Sequence, residues 1–90
     1  MRYRLEHSAS LAKDLRGLPE DARQRVWARI KSLADDPQPP GVEFLKGKLK
    51  GLRRVRVGGY RVGYTVEGDL VTVLMVDKRG SVYKELERRR

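Results

Sequence analysis

The sequence contains no cysteine, which excludes disulfides and thiolate metal sites and fits an intracellular compartment. It also lacks long apolar runs. No stretch approaches the roughly 20 residues that a membrane-spanning helix needs, and Met1 to Glu6 carries no apolar segment of the signal-peptide kind. His7 is the single histidine, so no histidine pair is available for acid–base work. Acids are scarce in one half only. Residues 46–90 hold five Asp/Glu against thirteen Lys/Arg, for +8, while residues 1–45 hold seven against eight, for +1. From Lys46 to Arg61 there are seven basic residues and no acid. A field this concentrated points to nucleic acid or to an acidic protein partner. No long basic amphipathic helix is present, so RNA or DNA ranks above a membrane surface. Ninety residues make a single domain, 1–90, with room for a modest core.

The densest information lies between Leu52 and Tyr64. Val55 and Val57 alternate with Arg54 and Arg56, then Gly58-Gly59 intervenes, and Tyr60, Val62 and Tyr64 alternate with Arg61 and Gly63. Two glycines between β-like runs are a hairpin signal, because both tolerate positive φ. A two-residue loop sets Val57 opposite Tyr60, Arg56 opposite Arg61, Val55 opposite Val62 and Arg54 opposite Gly63. Directly opposed residues share a sheet face. One face then carries valines and tyrosines, and the other carries Arg54, Arg56 and Arg61. Opposed like charges destabilise a sheet by up to about 1 kcal/mol, and a bound polyanion would relieve that repulsion. The alternative is that these arginines fan into water.

Elsewhere the chain reads as a short strand, two helices and a third sheet strand. Tyr3 and Leu5 alternate with Arg4 and Glu6. Ser8 or Ser10 can cap a helix whose apolar residues are Leu11, Ala12, Leu15 and Leu18, ended by Gly17. Pro19, Glu20 and Asp21 start a second helix, with acids at the positive end of its dipole. Its stripe is Ala22, Val26, Trp27, Ile30, Leu33 and Ala34, with Trp27 read as core, and Asp35-Asp36-Pro37 ends it. Phe44 and Leu45 are expected to pin the following connector to the core. After a turn at Glu67-Gly68-Asp69, the run Leu70 to Val76 is apolar on both sides, as a central strand should be. Leu74 and Val76 are expected on the arginine face. Residues 81–87 are expected to form a last helical turn or edge strand, with a frayed 88–90. The predicted fold is α+β: an N-terminal strand, a helical hairpin, then a three-stranded antiparallel meander, with the helices on one sheet face.

With the order established, the motifs together resemble a family. Leu45-Lys46-Gly47, the Arg54 to Tyr64 hairpin, and Arg79-Gly80-Ser81-Val82-Tyr83 resemble the RelE/ParE superfamily of toxins, as do Ala12-Lys13-Asp14-Leu15 and Asp36-Pro37. The resemblance implies a cytoplasmic toxin held inactive by a cognate antitoxin. RelE-like members are endoribonucleases that cut mRNA in the ribosomal A site, against ribosomal RNA; ParE-like members poison DNA gyrase. Arginines at 54, 56, 61 and 79 with Tyr83 favour the RelE-like arm. Gyrase inhibition, or a non-catalytic nucleic-acid-binding module, is the alternative.

The chemistry can be stated independently of the family. Metal-free RNA cleavage lets a ribose 2′-hydroxyl attack the adjacent phosphodiester. It needs a base, positive charge on the phosphorane and a proton for the leaving 5′-oxygen. Arginine is a permanent cation with a fork matched to phosphate, and a poor base. The expected catalytic set is Arg54, Arg56, Arg61, Arg79 and Tyr83. Arg61 or Arg79 stabilises the phosphorane, and Tyr83 acts as base or orients the 2′-hydroxyl. RelE-like enzymes often carry lysine where this chain has Arg54 and Arg56, which leaves the base open. Lys46, Lys48, Lys50, Arg53 and Lys78 are expected to contact the RNA backbone. No cofactor or metal is expected.

Overall fold

The computed structural model describes residues 3–47 and 51–78. The elements are β1 (Arg4–His7), α1 (Ala9–Arg16), α2 (Glu20–Ser32), β2 (Glu43–Phe44), β3 (Leu52–Val57), β4 (Tyr60–Glu67) and β5 (Leu70–Lys78). They build one mixed sheet in the order β1-β5-β4-β3-β2. The predicted meander β3-β4-β5 is its antiparallel centre. β1 lies parallel to β5, from Arg4 opposite Leu70 to His7 opposite Val73. A parallel pair needs a long crossover, and the helical hairpin followed by β2, β3 and β4 supplies it. β5 is thereby paired on both edges, and its two-sided apolar sequence reflects burial of both faces, by the helices on one and by Leu45 and Leu52 on the other. The expected elements at residues 79–90 lie outside the described residues.

The core lies between the helices and one sheet face. Leu11, Val26, Ile30 and Leu33 pack with Val55, Val62, Tyr64, Val71, Val73 and Val76. Trp27 is not among them. It is 37% exposed and lines an apolar groove of about 390 Å³ with His7, Leu11, Leu15 and Arg23. Neighbouring positions on a helix are about 100° apart, so with Val26 fully buried Trp27 turns toward the rim.

A bulge in β5 reverses one expectation. Tyr64 pairs with Val73, but Gly63 pairs with Met75, so Leu74 is the extra residue. In an unbroken ladder Val76 would face the arginine side. Instead it pairs with Val62 and enters the helix-side core, while Met75 takes the other face. α1 satisfies the groups that the bulge disturbs. The Ser8 hydroxyl donates to the Leu74 carbonyl at 2.7 Å, and the Val76 N–H donates to Asp14 Oδ2 at 3.2 Å. Ser8 does occupy the N-cap of α1, yet its side chain makes no cap hydrogen bond.

The connector after α2 is anchored from the sheet. Tyr64, fully buried, donates its hydroxyl to the Pro37 carbonyl at 2.8 Å. Arg53 donates Nη1 to the same oxygen at 3.0 Å. Burial pushes the Tyr64 phenol up to about 12. The folded state therefore favours the protonated phenol, and this contribution is complete below the unfolded value near 10. It is lost as pH rises from about 10 to about 12, for a total of about 2–3 kcal/mol. Tyr64→Phe should cost about 1 kcal/mol at neutral pH, since Arg53 still satisfies the carbonyl. Urea unfolding on both sides of that alkaline window should show a shallower loss of stability in the variant than in the wild type.

Candidate nucleic-acid interface

The hairpin register predicted from Gly58-Gly59 is the observed one: Val57 opposite Tyr60, Arg56 opposite Arg61, Val55 opposite Val62 and Arg54 opposite Gly63. Gly58 takes φ +59, the left-handed value such a turn requires. Val55 and Val62 are buried beneath the helices, so Arg54, Arg56 and Arg61 fall on the opposite face by strand alternation.

That face is not wholly left to water, and its arginines are not equivalent. Leu52 and Met75 are buried on it together with Leu45, and Leu74 packs against them. This second, smaller core holds the connector down, since the Leu45 N–H also donates to the Leu52 carbonyl at 3.0 Å. Phe44, expected to pin the same connector, is instead 51% exposed. It stacks against the Arg53 guanidinium, 4.9 Å from its ring centroid. Glu43 and Phe44 form β2, a two-residue edge strand that places Glu43 opposite Arg54.

The consequence is an ion pair that the hairpin alone did not reveal. Arg54 Nη2 lies 2.7 Å from both Glu43 carboxylate oxygens. The arginine side chain is only 11% exposed and the glutamate 55%. Arg54, expected to meet a polyanion or fan into water, thus already has a counter-charge within the sheet. The Arg54 hydrogen bond holds the Glu43 carboxyl below its usual range, against some desolvation, and the charges of Arg54, Arg56 and Arg61 add to the effect. Arg56 is exposed and Arg61 half-buried, facing each other across the ladder.

The expected backbone-contact residues divide between surfaces. Arg53 lies on the helix side, committed to Pro37 and Phe44. Lys78 pairs with Tyr60 on that side too, its Nζ 5.8 Å from the Tyr60 ring centroid. Lys46 is exposed in the connector beside Leu45. Arg79, Tyr83, Lys48 and Lys50 lie outside the described residues. Glu43 was missed as a site residue, because a two-residue strand leaves no periodic signal.

The chain is similar in sequence and fold to known proteins. Residues 5–83 match the family model for the ParE toxin of the type II toxin–antitoxin system parDE. Toxin RelE3 of Methanocaldococcus jannaschii is 31% identical over 77 residues, covering 82% of this chain and 88% of the relative. Among solved structures, the RelE–RelB complex of Pyrococcus horikoshii OT3 superposes with a TM-score of 0.77 at 31% identity, covering 89% of this chain and 98% of that one. The toxin–antitoxin complex RelBE2 of Mycobacterium tuberculosis gives 0.78 at 26% identity, covering 88% and 100%.

Proposed function

The chain belongs to the RelE/ParE superfamily of type II toxin–antitoxin toxins, and we propose that it is a ribosome-dependent mRNA endonuclease of the cytoplasm. The observation that carries this reading is the Arg56–Arg61 pair, opposed across β3 and β4 beside Arg54, on the sheet face away from the helices. Two fixed guanidiniums there suit a phosphodiester better than they suit each other. In the proposed reaction the 2′-hydroxyl of the cut nucleotide attacks the neighbouring phosphorus and the 5′-oxygen leaves, taking up a proton that Arg61 or Arg79 helps to supply. Arg61 and Arg79 neutralise the phosphorane, Arg54 and Arg56 hold the backbone, and Tyr83 orients or deprotonates the 2′-hydroxyl. Lys46, Lys48 and Lys50 extend the basic surface toward ribosomal RNA, while Arg53 and Lys78, on the helix side of the sheet, stand apart from it. An acidic antitoxin would restrain the toxin by covering this surface; relatives have been solved in complex with their antitoxins.

The matched family model carries the ParE name, so gyrase inhibition is the second reading. One experiment separates them. Purified protein on programmed ribosomes should cut mRNA in the A site and leave a 2′,3′-cyclic or 3′-phosphate end. Cutting should persist with EDTA once the ribosomes are stabilised without free divalent metal. Intact mRNA together with gyrase trapped on DNA would replace the nuclease reading.

A further inference from the structure

We infer that Glu43 is a built-in competitor for the phosphodiester at Arg54, so that single-stranded nucleic acid gains Arg54 only when the β2 carboxylate leaves it. The inference rests on the nucleic-acid reading of the arginine face. A carboxylate and a phosphodiester offer a guanidinium the same chemistry, two anionic oxygens at hydrogen-bond distance. Glu43 fills that role at 2.7 Å through both oxygens, over an arginine side chain only 11% exposed. A polyanion arriving at the face meets Arg56 and Arg61 directly, but meets Glu43 before Arg54.

The carboxylate is also placed to move. β2 is two residues long at the sheet edge, joined among the described residues to β3 alone. It is flanked by Gly41 at φ +84 and Gly47 at φ +67, conformations that glycine adopts without strain. Leu45 stays anchored beneath by Leu52 and Met75. Rotation of the half-exposed Glu43 side chain is therefore enough, with no loss of the small core.

A double-mutant cycle tests this with a fluorescent single-stranded oligothymidylate, which has no 2′-hydroxyl and is not cut by the proposed reaction. Binding by the full chain is followed by anisotropy over a range of salt concentrations. Glu43→Gln should tighten binding about tenfold, the order of one charge-assisted contact. Its salt slope should steepen by about 0.7, the single-strand value for one more neutralised phosphate. In an Arg54→Gln background the same change should give little gain. Should Arg54→Gln not fold by circular dichroism, Arg54→Met keeps the apolar length of the side chain and completes the cycle. Equal or weaker binding by Glu43→Gln overturns the inference, as does an undiminished gain without Arg54, which is an effect of net charge alone. Absence of binding by every variant overturns it too. Coupling between the two positions in a chain that cuts no mRNA would remove the nuclease reading and leave this one standing. Normal cutting without coupling would do the reverse.

Discussion

Arg61→Ala should lower mRNA cleavage on programmed ribosomes by about a hundredfold to a thousandfold, the usual loss when one preorganised charge partner of a transition state is removed. Arg61 faces Arg56 across the ladder and lies on the sheet side away from the helices, next to the buried Val62. Removing it relieves the opposed Arg56 but also gives up the opposite-charge position across from Asp77 on β5, so the fold should be close to unharmed. A thermal melt within a few degrees of wild type, together with loss of growth inhibition, is the expected combination. Arg79→Ala should behave alike in activity. Tyr83→Phe, which removes only a hydroxyl, should lose at least about tenfold. Undiminished cleavage by Arg61→Ala would remove the arginine face from the chemistry.

The opposite substitution pattern applies one residue along. Val62→Asp should leave no folded protein, although it sits beside a position that tolerates alanine. Val62 is fully buried, paired with Val55 on one side and Val76 on the other, inside the cluster that also holds Val26 and Ile30. A carboxylate there is enclosed by apolar side chains of the core cluster. It loses its hydration or takes up a proton, and either costs several kcal/mol. A domain of this size has only about 5–15 kcal/mol in all. Circular dichroism should show loss of the cooperative transition. A folded Val62→Asp protein would place the strand in another register, because a one-residue slip exchanges the two faces.

These two substitutions mark what could be read without coordinates. Alternation around Gly58-Gly59 determined the register of β3 and β4, hence which arginines share a face, because side-chain direction in a strand depends only on parity and turn length. The three- and four-residue spacing from Leu11 to Leu33 determined the helical hairpin and most of its buried side. The excess of Lys and Arg after residue 45 determined that this half of the chain is strongly basic. Each of these is a local property of neighbouring residues.

Three features depended on contacts between residues distant in the chain. The bulge at Leu74 carried Val76 into the core and Met75 out to the arginine face, and it is stabilised by Ser8 and Asp14, more than sixty positions away. Trp27 lay on the apolar stripe, yet packing turned its neighbour Val26 into the core and left Trp27 at the rim. Glu43 met Arg54 only because a two-residue strand joined the sheet edge, a pairing with too few residues to leave a pattern. Periodicity records which way a side chain points. What it points at, and so whether Arg54 faces water or a carboxylate, was decided by how the chain closed on itself.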